Sequence, residues 1–325
     1  MKSSIGWGVL GAGSIARKFT TDLARLDDAR LVAVGSRSAT RAAQFAADQG
    51  AARSYGSYEA MLSDPDVDVV YVATPHNFHR DHAILCLERG KAVLCEKPMA
   101  VGAHQVREMA AAARRNGLFL MEAMWTRFNP VTVQVQKWLS EGRIGEVRML
   151  NVDFGFRAGW NPQGRLFDPN LAGGALLDVG VYVVALASMV YGGAPQDIWA
   201  AAHLGATGVD EQTAMVFKYA QGQLAVLSCA VRTNTPQEAR VFGAQGSIHM
   251  PDFWHAASAT LNVSGQPSVE AAGAPGYEHE AAEVIACLRA GKTESDVMPL
   301  DESVAIAAAI DEVRRQIGLI YPWEG

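Results

Sequence analysis

The chain begins with a short apolar run, "IGWGVLGAG", that turns at once into a helical pattern, "SIARKFTTDLARL". Apolar runs of strand length then alternate with stretches of helical period. "ARLVAVGSR", "DVDVVYVATP", "KAVLCEKP" and "LFLMEAMW" read as strands. "ATRAAQFAADQG", "FHRDHAILCLERG" and "AHQVREMAAAARRNG" read as the helices between them, each ending on a glycine that suits a left-handed C-terminal cap. Strands this apolar, alternating with helices, predict a parallel sheet covered on both faces and wound in both directions.

From about residue 144 the rhythm changes. "EVRMLNVDFGF", "DIWAAAHL", "QTAMVFKYA", "QLAVLSCAVR", "EARVFGAQG" and "SIHMPD" are strand-like runs joined by short connections, the pattern of a mostly antiparallel sheet. One helix, "GALLDVGVYVVALASMVYG", interrupts them, and two more, near 277–290 and 300–317, close the chain. The expected architecture is α/β. A doubly wound dinucleotide-binding domain spans 1–125. An α+β domain with a large open sheet, serving substrate binding and oligomerisation, spans 126–325.

The first strand ends in "VLGAGSIARKF", which sets Gly11, Gly13 and Ala16 in G-x-G-x-x-A spacing, with Ser14 and Ile15 in the turn. Gly11 permits the tight turn and Gly13 the close approach of backbone N–H groups to a pyrophosphate. Ala16 permits close packing of helix on strand. The motif follows a strand and opens a helix, the context that gives it meaning. An NAD site calls for an acid at the end of the second strand. Here Ser36, Arg37 and Arg41 stand there instead, and guanidinium groups suit a 2′-phosphate. The expected cofactor is therefore NADP rather than NAD.

Ligand crevices in such sheets lie beyond the C-terminal ends of the strands. "YVATPHNFH" and "VLCEKP" both end there, which brings Thr74, Pro75, His76, His79, Glu96 and Lys97 to the crevice. Much later, "AGGALLDVGVY" places Asp178 and Tyr182 four residues apart on one helix face. "HNFHRDH" spaces three histidines closely, but no cysteine or carboxylate completes a metal site. Cofactor contact is expected for His76 and His79 and a surface role for His82, and no metal is expected.

Taken in order, the glycine turn, "TPHNFH", "EKP" and "GGALLDVG" resemble the Gfo/Idh/MocA oxidoreductases over essentially the whole chain. Tyr182 in place of the histidine of many members, with "MEAMWTRFNP" and "GLIYPWE", is similar to a narrower group. That group holds the dimeric dihydrodiol dehydrogenases, NADP-dependent D-xylose dehydrogenases and related sugar oxidoreductases. The one departure is Ala172, where many relatives carry a third glycine.

The resemblance implies roles. Lys97, Asp178 and Tyr182 would be catalytic, with Tyr182 moving the proton and Lys97 stabilising the alkoxide. Thr74, Pro75, His76 and His79 would lie along the cofactor, Glu96 and Lys97 near the nicotinamide ribose, and Trp125 and Arg127 would face cofactor or substrate. Read from the residues alone, Phe154 and Trp254 could line a substrate pocket or pack in the core. A homodimer through the open sheet face would follow. An NAD-dependent glycosidase of the same fold, or a dinucleotide-binding sensor without catalysis, are the alternatives. The glycosidase is disfavoured by Ser36 and Arg37, and the sensor by the intact Lys97, Asp178 and Tyr182.

Composition narrows the partners. A formal net charge of −6 with no Lys/Arg run argues against nucleic acid. No apolar stretch is expected to cross a membrane. Four scattered cysteines, Cys86, Cys95, Cys229 and Cys287, read as buried thiols and point to the cytoplasm.

Overall fold

The computed structural model of the chain describes residues 3–324. Its first elements are β1 (Ile5–Leu10), α1 (Ser14–Leu23), β2 (Ala29–Gly35), α2 (Ala39–Gln49), β3 (Arg53–Tyr55) and α3 (Tyr58–Leu62). They continue with β4 (Val69–Val72), α4 (His79–Glu88), β5 (Ala92–Glu96), α5 (Ala103–Asn116) and β6 (Leu120–Ala123). All six strands run parallel, in the order β3-β2-β1-β4-β5-β6. The chain winds outward in both directions from between β1 and β4, so the switch point lies there. Helix α1 packs onto the sheet through Phe19, whose ring stacks on Tyr71 of β4 at 3.9 Å. Strand β3 and helix α3 have no counterpart in the sequence reading. At three and five residues they are too short to carry a period.

The chain continues with α6 (Pro130–Ser140), β7 (Val147–Gly155), α7 (Val181–Tyr191), β8 (Asp197–Leu204), β9 (Asp210–Lys218), β10 (Leu224–Ala230) and β11 (Ala239–Gly243). Then come β12 (Gly246–Met250), β13 (Ser258–Val263), β14 (Val269–Ala272), α8 (Glu278–Arg289) and α9 (Leu300–Ile317). The second sheet has the order β14-β13-β12-β11-β7-β10-β9-β8. Every neighbouring pair in it is antiparallel except β7 with β10. One face of this sheet is buried, and α7 packs there on β7 and β10.

That packing corrects the expectation about membrane-length segments. Residues Pro169–Tyr191 are long and apolar enough to cross a bilayer, with a mean hydropathy of 1.8. Of its most apolar 18-residue window 83% is buried inside the fold, as in a core helix.

The chain divides into two packing units. The first holds the chain up to Ala100, His104–Trp125 and Gly276–Ser303; the second holds Val101–Ala103, Thr126–Pro275 and from Val304 onward. A second domain running unbroken over 126–325 is thereby corrected, because α8 belongs to the first unit. Arg25 pairs with Glu278 at 2.9 Å, Arg289 with Asp28 at 2.6 Å, and the Tyr277 backbone N–H donates to Asp22 at 3.0 Å. Contacts so distant in sequence leave no mark on the local period of α8.

Candidate active site

The turn after β1 has the form its glycines allow. Gly11 sits at φ 106°, and a Cβ there would lie 2.8 Å from the Ala73 carbonyl oxygen. Gly13 has nothing within 4 Å of where a Cβ would stand, so one side of the turn is open. Gly13 is also the N-cap of α1, with no side-chain capping bond and no acid in the first turn. The first N–H groups of α1 are thus available to an anion. Ser14 is exposed, Ile15 half-buried and Ala16 fully buried under the helix. These features fit a dinucleotide pyrophosphate.

At the end of β2, Ser36 is buried and its hydroxyl accepts from the Ser38 N–H at 3.2 Å. Ser38 in turn caps α2 by accepting from the Arg41 N–H. Arg37 and Arg41 are both exposed. The Arg37 guanidinium lies over the Phe78 ring at 5.9 Å, a cation–π contact. Phe78 stacks on His82 at 5.8 Å, and Tyr58 meets the His82 ring edge-on at 4.9 Å. The surface role expected of His82 is therefore corrected. Its Nδ1 lies 2.9 Å from the Thr74 hydroxyl, and burial lowers its pKa. Tyr58 and Phe78 join this cluster without any motif to announce them.

Beyond β4 and β5, His76 is buried and Thr74 nearly so, while Lys97 is half-buried. His79 was expected to touch the cofactor, and the structure gives it another task. It is 1% exposed, with Nδ1 2.9 Å from the Pro98 carbonyl and Nε2 2.8 Å from the Thr74 carbonyl. Burial drives its pKa down to about 3, so the ring is neutral and donates to one of the two. It ties the Pro75 loop to the loop after β5, whose Lys97–Pro98 peptide bond is cis.

Glu96 is buried. It accepts from the Tyr71 hydroxyl and from the Lys97 backbone N–H at 3.1 Å. Close by, Glu280 of α8 is fully buried, and neither carboxyl oxygen has a hydrogen-bond partner among the described residues. Burial, and then the charge of Glu96, push its pKa well above the usual carboxylate range. Trp125 packs on Tyr277 with ring centroids 4.6 Å apart.

In the second unit, Asp178 lies in a π-helical turn, Leu176–Gly180, that leads into α7 with Tyr182 near its start. The hydrogen bonds of the expected regular helix thus span one residue more here, from i to i+5. Arg165 donates to Asp178 at 2.6 Å and 3.5 Å, and neither motif nor spacing signals it. Asp210 fixes the turn from below, accepting from the Leu176 N–H at 2.8 Å and the Thr213 hydroxyl at 2.7 Å. A Cβ on Gly174 would stand 2.1 Å from Asp210 Oδ1, so this carboxyl needs the glycine. Ala172 adopts φ 55°, a left-handed conformation that explains why a glycine suits the position.

Phe154 packs on Tyr182 at 5.5 Å and stacks on Trp254 at 5.0 Å. Arg127, expected to face a pocket, is 3% exposed and donates to the Ala185 carbonyl at 2.9 Å. It anchors α7. Among the described residues no group of three His, Cys, Asp or Glu side chains could hold a metal ion.

A glycine turn feeding an uncapped helix at the switch point of a parallel six-stranded sheet defines a dinucleotide-binding protein. Residues 5–124 match the Gfo/Idh/MocA oxidoreductase family model, NAD-binding Rossmann fold, and residues 132–249 match the C-terminal domain model of the same family. The chain is 40% identical over 332 residues to trans-1,2-dihydrobenzene-1,2-diol dehydrogenase of Mus musculus, covering 98% of each chain. A 3-ketoreductase from Actinomadura kijaniata, solved with NADP and TDP-benzene, superposes with a TM-score of 0.87 at 26% identity, over 97% of this chain and 98% of that one. An aldose-aldose oxidoreductase from Caulobacter crescentus, complexed with glycerol, superposes with a TM-score of 0.88 at 25% identity, over 96% and 97%. The chain belongs to the Gfo/Idh/MocA oxidoreductase family.

Proposed function

We propose that this protein is an NADP-dependent dehydrogenase of a sugar or a cyclic trans-diol. The observation that carries the reading is the pair of sites in the first unit. An open phosphate turn precedes α1, and a basic strand end carries Arg37 on Phe78 where an NAD enzyme would carry an acid. The relatives' names support the substrate class, and the ketoreductase solved with NADP supports the cofactor.

The nicotinamide supplies the hydride acceptor or donor when bound. The chain's own residues do the rest. Gly11, Gly13 and the α1 N-terminus hold the pyrophosphate, and Arg37 and Arg41 the 2′-phosphate. In the oxidising direction Tyr182 takes the hydroxyl proton and the Lys97 ammonium stabilises the developing alkoxide. Asp178, held by Arg165, orients the substrate. Trp254 and Phe154 offer it an aromatic face.

The protein is proposed to act as a homodimer in the cytoplasm. Trp199 lies opposite Val216, and Val216 opposite Val226, in one row across the outer face of the second sheet. Trp199 is 53% and Val226 39% exposed, and a second copy would cover them. The test of the function is nicotinamide reduction with NADP and with NAD, over trans-dihydrodiols, aldoses, inositols and anhydro-sugars. Turnover with NADP that Arg37→Ala weakens through cofactor KM supports the reading. Turnover with NAD alone, or none with either, sinks it.

A further inference from the structure

Three residues other than glycine adopt left-handed backbone among the described residues, and two of them, Gln237 (φ 60°) and Asp252 (φ 45°), flank one aromatic cluster. Side chains such as glutamine rarely accept this conformation. It persists where the surroundings over-determine it, and such positions gather at functional sites. Gln237 is over-determined in this sense. Its N–H donates to Asp153 at 2.8 Å and its C=O accepts from the Phe253 N–H at 2.9 Å. Its side-chain amide donates to the Gly155 carbonyl at 2.8 Å and accepts from the Trp254 indole N–H at 2.7 Å. One residue thus clamps both sides of Phe154 on β7 to the segment that carries Phe253 and Trp254.

We propose that Gln237 is a positioning residue for substrate selection, locking the Trp254 ring against Phe154 to form a rigid wall for ring-closed substrates. The proposal rests on the dehydrogenase reading of this site. Trp254 is half-buried. The short hydrogen bond to Gln237 satisfies its indole N–H and fixes the direction in which the ring edge points. With the ring fixed, Trp254 lies nearly parallel to Phe154, at 21°, and Phe154 in turn packs on Tyr182. A pyranose or a cyclic diol has a flat CH or π face to set on such a wall. An open-chain polyol has none.

The test uses Gln237→Gly, which suits φ 60° and so removes the clamp without straining the backbone. Its expected effect is a rise in KM for cyclic substrates of about 10-fold, with kcat and NADP binding within about twofold and open-chain polyols unaffected. Trp254→Phe keeps an aromatic face but loses the N–H. Adding Gln237→Gly to it should raise KM far less than Gln237→Gly does alone, because the bond to Trp254 is already gone and only the Gly155 contact is left to lose. Independently of turnover, the emission assigned to Trp254 by difference from Trp254→Phe should become more open to acrylamide quenching in Gln237→Gly. Equal loss of kcat on every substrate, additive effects in the double variant, or unchanged quenching would overturn the proposal. If the wild type turns over nothing in the panel, the dehydrogenase reading fails and the selection role with it. The quenching result would still report whether Gln237 holds Trp254.

Discussion

Tyr71 and Lys97 are joined through a single carboxylate. Glu96 accepts the Tyr71 hydroxyl at one oxygen and the Lys97 backbone N–H at the other. The strand that delivers Lys97 is thereby pinned to β4 from inside the sheet. Burial, and then the Glu96 charge, push the pKa of Glu280 beside this pair well above the usual carboxylate range.

Tyr71→Phe removes a donor from a buried carboxylate and leaves the aromatic volume in place. The expected result is a loss of about 1–3 kcal/mol of stability. Turnover should fall more than NADP affinity, because Lys97 loses its anchor while the phosphate turn is untouched. Urea titration and steady-state kinetics on the same preparation check both. Unchanged stability with normal turnover would show that Glu96 needs no help from Tyr71.

Asp210 makes stability depend on pH. Burial pushes its pKa up to about 7, against the pull of the Thr213 and Leu176 hydrogen bonds and the Arg314 charge. An unfolded chain titrates its aspartates near ~3.9. A group raised in the fold stabilises fully below its unfolded pKa, and that stability is lost as pH rises through the folded value. The second unit should therefore weaken between about pH 4 and pH 7, on the order of a few kcal/mol. Asp210→Asn still accepts from Leu176 and Thr213 and should flatten this slope in thermal melts. A slope identical to the wild type would assign the dependence to other groups.

Arg165 separates activity from stability. Its side chain is 58% exposed while Asp178 is 9% exposed, so the pair contributes no more than about 1 kcal/mol to folding. Arg165→Gln should leave the melting temperature nearly unchanged and lower kcat/KM by about 10-fold or more, the worth of one charge-assisted hydrogen bond. NADP titration should be unaffected. A fall in melting temperature with normal kinetics would make Arg165 a structural residue only.

Local pattern carried much of this. The alternation in the first third marks out the parallel strands and the glycine turn. The run "DIWAAAHL" coincides with β8, Asp197–Leu204. What stayed illegible depends on contacts far apart in sequence. Glu280 reads as an ordinary first-turn acid on α8, and only its docking on the first unit makes it a fully buried carboxyl. Asp210 and Gln237 lie in strand and loop text with no motif. Their importance comes from Leu176, Gly174 and Trp254, residues 17 to 36 positions away. His79 was legible as part of "TPHNFH", but its inward rotation onto two carbonyls was not. The π turn at Leu176–Gly180 was hidden because Asp178 and Tyr182 share a face at either helical pitch.

The central claim is that Lys97 and Tyr182 carry the proton and charge chemistry of an NADP-dependent oxidation. The most direct measurement is the single-turnover rate of nicotinamide reduction in Lys97→Met and Tyr182→Phe, on whichever substrate the wild type oxidises, with NADP affinity measured alongside. The account predicts a loss of about 100-fold or more in each rate, with NADP affinity within a few-fold of the wild type. Near-normal rates in both variants would contradict it.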